Sequence, residues 1–104
     1  MRTVAETPIF IRYASEIWSE AERQEFIAFI AANPEAGSVI RGSGGCRKVR
    51  WSRAGIGKRG GARVIYFVAD DEVVWLLIVY TKAKFDALPA SFLARLRQGV
   101  EDAL

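Results

Sequence analysis

The stretch that most constrains the fold is Val73 to Tyr80, eight successive apolar residues (Val73-Val74-Trp75-Leu76-Leu77-Ile78-Val79-Tyr80). A membrane-spanning helix needs roughly 20 such residues, so this run is far too short to cross a bilayer. Its β-branched and aromatic content reads as a strand. A strand apolar on both sides has to be central and covered on both faces over most of its length. The rest of the chain must therefore supply neighbouring strands and the helices that cover them. With 104 residues, one domain with a modest core is expected, spanning residues 1–104. Met1 to Phe10 holds no apolar run that would act as a signal peptide, so a cytoplasmic protein without a membrane segment is expected.

The remaining elements follow in chain order. Residues 3–6 are weakly patterned and predict a small edge strand. Thr7 and Pro8 supply an N-cap and a first helical residue. Phe10, Tyr13, Ala14, Ile17 and Trp18 then recur at helical spacing. Ser19 and Glu22 form a capping-box pattern, so a second helix begins at Ser19. Its apolar face is Phe26, Ile27, Phe29 and Ile30, and Asn33-Pro34 and Gly37 end it. From Cys46 the period changes to two: Arg47, Val49 and Trp51 alternate with Cys46, Lys48 and Arg50. Ala62 to Ala69 is a second alternating strand, with Val64, Tyr66 and Val68 opposed to Arg63, Ile65 and Phe67. After a turn at Asp70-Asp71 comes the apolar strand, taken from Val73 to Lys82, with Tyr80 and Lys82 sharing a face at its polar end. A last amphipathic helix follows Leu88-Pro89. The order predicts an α+β fold, a small twisted antiparallel sheet with an N-terminal helical hairpin and a C-terminal helix.

Charge is segregated along this frame. No carboxylate occurs between Glu35 and Asp70, yet eight of the fifteen basic residues fall there: Arg41, Arg47, Lys48, Arg50, Arg53, Lys58, Arg59 and Arg63. A formal charge of +3 is thus a basic segment set against a remainder of about −5. Such a field suits a polyanion, most simply nucleic acid; a solvated basic loop between two strands has the same composition. There is no histidine and one cysteine, Cys46. That excludes imidazole acid–base chemistry, an internal disulfide and a cysteine metal cluster; no metal or cofactor is expected. The glycines of Gly42-Ser43-Gly44-Gly45 lack the Gly-Lys-Ser/Thr ending and following helix of a phosphate-binding loop, and turn the chain into the strand instead.

Such a composition still allows RNA cleavage, because RNA carries its own nucleophile in the 2′-hydroxyl. Fixed cations can stabilise the charge that builds on the phosphate. A lysine with cationic neighbours or a tyrosine can move the proton, and an exposed aromatic ring can stack on a base. Trp51 and Tyr66 fit either a stacking platform or an ordinary sheet aromatic. Arg63 is the most suggestive single residue, one charge at the cationic-loop end of an otherwise apolar strand.

The chain resembles the RelE/ParE superfamily of bacterial type II toxins, specifically its HigB-like branch. The motifs are Asn33-Pro34-x-x-Gly37-x-x-Ile40-x-Gly42-Ser43-Gly44-Gly45-x-Arg47-Lys48-x-Arg50, then Gly57-Lys58-Arg59-Gly60-Gly61-x-Arg63-Val64-Ile65-Tyr66, then Leu76-Leu77-x-x-Tyr80-x-Lys82. The resemblance implies a ribosome-dependent, metal-independent mRNA endoribonuclease (an mRNA interferase) that inhibits translation and is silenced by a cognate helix-turn-helix antitoxin. By motif position it implies that Arg63 contacts the scissile phosphate, with Lys58, Arg59, Tyr80 and Lys82 completing the catalytic set. Arg47, Lys48, Arg50, Arg53 and Trp51 would add RNA or ribosome contacts. The superfamily also contains ParE-type members that act on DNA gyrase. A gyrase-directed toxin and a non-catalytic RNA-binding module are thus the alternative expectations.

Overall fold

The computed structural model describes residues 1–52 and 61–104. Eight elements follow one another: β1 (Val4–Glu6), α1 (Pro8–Ile17), α2 (Glu20–Ala32), β2 (Ser38–Val39), β3 (Arg47–Trp51), β4 (Ala62–Val68), β5 (Val74–Thr81) and α3 (Ala90–Ala103). The five strands form one sheet in the order β1-β5-β4-β3-β2. Strands β2 to β5 make the expected antiparallel meander. The apolar strand β5 is interior, and its second neighbour is β1, which runs parallel to it with Val4 opposite Val74. That parallel edge and the two-residue β2 are features the sequence pattern did not specify.

The helix signals act as physical chemistry requires. Thr7 caps α1 by accepting from the Phe10 amide, with Pro8 at the first helical position. Its hydroxyl also lies 2.9 Å from the Leu76 carbonyl oxygen and 3.1 Å from that of Leu77. One buried side chain thus starts the helix and ties it to β5. At Ser19 both halves of the capping box are present, Glu22 N–H to the Ser19 hydroxyl and Ser19 N–H to the Glu22 carboxylate.

The two sheet faces carry separate cores. On the first, Val49, Val64, Tyr66, Leu76 and Val79 pack against Phe10 and Ala14 of α1 and Phe26 and Ile30 of α2. On the second, Cys46, Ile65, Phe67 and Ile78 pack against Leu93 of α3. Each large side chain fully buried in this way contributes about 1.5–3 kcal/mol. Between the Ile65–Ile78 and Tyr66–Leu76 pairs the register slips by one. Leu77 is the extra residue of that bulge, and it joins Ile78 in the core under α3. The glycine turn leading into β3 has Gly42, Gly44 and Gly45 at positive φ. Buried Ser43 closes it, donating to the Ile40 carbonyl (2.6 Å) and accepting from the Cys46 amide (3.0 Å). Cys46 is fully enclosed and burial pushes its thiol up, so it is an inert core residue.

Fully buried Tyr66 reaches from the sheet to the loop that ends the helical hairpin. Its hydroxyl accepts from the Gly37 amide and donates to the Pro34 carbonyl, both at 2.8 Å. A side chain at residue 37 has no room, since a Cβ there would lie 2.9 Å from the Tyr66 hydroxyl and the Lys48 carbonyl oxygen. Replacing Tyr66 by Phe removes both hydrogen bonds while keeping the ring. Chemical denaturation should show a loss of about 1–3 kcal/mol with an unchanged denaturant slope.

Candidate functional site

The register of β3, β4 and β5 decides which side chains meet. Arg50, Arg63 and Tyr80 are cross-strand partners in one row, and Lys48, Ile65 and Ile78 form the next. Both rows belong to the face that carries α3. That helix covers only the end of the face marked by Cys46, Ile65 and Phe67. At the other end Lys48 and Arg50 are exposed and Arg63 is half-buried. Arg50, Ser52, Gly61, Ala62 and Arg63 line a depression of about 180 Å³ there. A larger cavity of about 460 Å³ lies elsewhere, between α3 and the start of α1, with apolar walls such as Ile9, Trp75 and Val100. It lacks the convergent charge of the first.

Two arginines side by side on neighbouring strands repel one another. Among the described residues neither Arg50 nor Arg63 has an ion-pair partner. Tyr80, 2 % exposed, stands beside Arg63. Burial raises its phenol above the ordinary tyrosine value, and the charge of Arg63 partly opposes the shift. The phenol is therefore neutral at physiological pH and can donate a hydrogen bond. Its hydroxyl has no hydrogen-bond partner among the described residues. Its near-complete burial removes it as a base-stacking platform in this conformation. Lys82 is exposed in the turn directly after β5.

Other residues expected at the site are placed elsewhere. Arg47 and Trp51 alternate onto the opposite face, under the helical hairpin. The Arg47 guanidinium donates to the Gly37 carbonyl at 2.8 Å, bracing the same loop as Tyr66. The Trp51 ring packs on Phe29 and Phe26 at 4.6 and 5.5 Å, so it is a sheet aromatic rather than a platform. Lys58, Arg59 and Arg53 lie outside the described residues. Two further groups on this face were missed in the sequence. Phe85 packs edge-on against Tyr80 at 6.0 Å, beside the row, whereas Arg97 of α3 lies over Phe67 at 4.8 Å, at the covered end of the same face. The alternation of α3 places Arg97 near its buried side, but no sequence signal brings Phe85 back to the sheet.

Among the described residues no helix is long and apolar enough to cross a membrane, and no group of three or more His, Cys, Asp or Glu side chains is placed to hold a metal. No protein-family model matches the chain. In structure it is similar to a chain of the toxin–antitoxin complex RelBE2 from Mycobacterium tuberculosis, with a TM-score of 0.61 and 21% identity. The match covers 77% of this chain and 96% of that one. At that identity the likeness establishes the fold, an α+β sheet with helical hairpin and C-terminal helix of RelE-like type.

The two faces give opposite expectations for neighbouring arginines. Arg47→Ala should cost about 1 kcal/mol of stability through the lost bond to Gly37. Arg50→Ala, on the exposed row, should stay within about 0.5 kcal/mol of the parent in the same denaturation experiment. Removing the Arg63 charge should shift Tyr80 in a definite direction. A phenolate loses its cationic neighbour in Arg63→Gln, so the Tyr80 phenol should titrate at still higher pH, as read by ultraviolet phenolate absorbance against a Tyr80→Phe control.

Proposed function

We propose that this chain is the toxin of a type II toxin–antitoxin pair, of the HigB-like branch of the RelE superfamily. In this reading residues 1–104 act as one cytoplasmic domain that cleaves mRNA on the ribosome and is held silent by a helix-turn-helix antitoxin. The observation that carries it is the Arg50–Arg63–Tyr80 row. Two unpaired arginines opposite each other weaken a sheet, and the arrangement makes sense when an anion lies between and above them. A phosphodiester supplies that charge.

The chemistry follows from what RNA brings. The 2′-oxygen attacks the adjacent phosphorus, its proton leaves to a base, and the bond to the 5′-oxygen breaks as that oxygen takes up a proton. The products are a 2′,3′-cyclic phosphate and a 5′-hydroxyl, with no change in oxidation state. Negative charge grows on the phosphate oxygens in the transition state, and Arg63 lies where a guanidinium can stabilise it, with Arg50 and Lys48 guiding the strand. Lys58 and Arg59 have the roles their motif implies, in the same charge stabilisation. Tyr80, kept protonated by burial, is the donor available to the departing 5′-oxygen, and Lys82 contacts a flanking phosphate. The reaction requires no metal, because the nucleophile belongs to the substrate and fixed cations carry the charge.

The test is inducible expression in bacteria with primer extension on an abundant transcript and on the same transcript lacking its start codon. Cuts confined to the translated message are expected. Cuts in both transcripts indicate a free ribonuclease. Growth arrest with intact mRNA and DNA-damage signalling would instead favour a gyrase-directed toxin. Intact mRNA with binding that falls steeply with salt would favour a non-catalytic RNA-binding module. Arg63→Ala should lose cleavage and growth arrest by about a hundredfold or more while its unfolding curve stays close to the parent's. Full toxicity in that folded variant removes Arg63 from the site.

A further inference from the structure

The chain leaving β5 does not simply run on to α3. The Lys84 and Phe85 amides both donate to the Thr81 carbonyl at 3.1 Å, folding residues 81–85 into a turn. That turn returns Phe85 to the sheet between two tyrosines. The Phe85 ring meets Tyr80 edge-on at 6.0 Å and 68°, and Tyr13 of α1 at 6.1 Å and 67°. Lys84 holds the outer side, with its ammonium 5.1 Å from the Tyr13 ring centre and 3.3 Å from the Glu16 carboxylate. The ion pair is half-exposed and contributes little by itself. The ring contacts are what fix the turn, at about 0.5–1.5 kcal/mol for each aromatic pair beyond area burial.

Tyr80 needs such a support. It belongs to the end of the sheet face that α3 leaves uncovered, and its hydroxyl has no hydrogen-bond partner among the described residues to set the ring. On its inner side the ring belongs to the cluster that includes Ile65 and Ile78. We propose that Phe85 is a positioning residue, wedged between Tyr13 and Tyr80 so that the Tyr80 hydroxyl is held beside Arg63 in the geometry that cleavage uses. This rests on the nuclease reading above. It assigns a role to a residue that stands outside the Arg50–Arg63–Tyr80 row and acts through Tyr80. The same turn carries Lys82, so one brace sets two members of the site.

The test compares Phe85→Ala, the ring-retaining Phe85→Tyr, Tyr80→Phe and the double variant Phe85→Ala/Tyr80→Phe. Ring-labelled tyrosine is followed by NMR, with the Tyr80 signals assigned by their loss in Tyr80→Phe. In Phe85→Ala the Tyr80 signals should move while those of Tyr66, on the other face, stay in place. Cleavage of a translated message on purified ribosomes should fall about tenfold or more in kcat with KM nearly unchanged, since misplacement of a reacting group acts on turnover. Phe85→Tyr should restore both. The loss should vanish in the Tyr80→Phe background, because a residue acting through that hydroxyl has nothing left to position. Unmoved Tyr80 signals in Phe85→Ala would overturn the inference, as would an undiminished kcat, or an equal further loss in the Tyr80→Phe background. A parent protein that cuts no translated message overturns the nuclease reading instead, and the Tyr80 signals alone then decide whether Phe85 holds the ring.

Discussion

The hydroxyl of Tyr66 is the point on which the two halves of the molecule meet. It lies on β4, between the interior strand β5 and the basic strand β3, and bonds both ways into the loop at 34–37. The bonds matter because both partners are backbone groups of the loop after α2, which need hydrogen-bond partners once that loop is packed on the sheet. Gly37 allows the approach, and Arg47 closes the other side of the same loop. The hairpin is thereby fixed against one face of the sheet, and the register of β3 on β4 is fixed with it. That register puts Arg50 opposite Arg63.

The two faces of the sheet then divide their work. The hairpin face is occupied from Tyr66 to Trp51, and Arg47 on that face is committed to a backbone carbonyl. The α3 face is occupied over half its length and left charged over the remainder. A protein optimised for stability alone would not leave two arginines facing each other across strands with no ion-pair partner among the described residues. Placing this repulsion on a sheet whose other face is densely packed keeps it from deforming the backbone. The same rigidity keeps the arginines pointing one way, which an electrostatic site requires before its ligand arrives.

Much of this was legible in the sequence because it is local. Thr7-Pro8 and the Ser19–Glu22 box mark helix starts by bonds that span three residues, and both are formed as read. Alternation sorted the residues of β3 and β4 onto their faces correctly. Alternation cannot say what will cover a face, however, and Arg47 and Trp51, to which the resemblance gives RNA contacts, stand on the face that the hairpin covers. The parallel direction of β1 depends on where a helical hairpin carries the chain, which three weakly patterned residues do not encode. Phe85 was illegible for a similar reason, since its position depends on a ring contact with Tyr13, far back in the chain, as well as on nearby Tyr80. The motif residues Lys58 and Arg59, and Arg53 between the motifs, lie outside the described residues.

The edge strand has a consequence for the order of events during synthesis. Thr7 bonds to carbonyls 69 and 70 residues further along the chain. Its strand therefore has no partner until β5 has left the ribosome. Helices α1 and α2 can form early, but neither core closes before that late strand arrives, and the cost is that of closing a long loop rather than of nucleating a helix. The arginine row is assembled by the same event, because β5 supplies Tyr80 and completes β4. A nascent chain of this protein therefore holds its basic segment in an unorganised form until β5 has emerged, and the site comes into being nearly all at once.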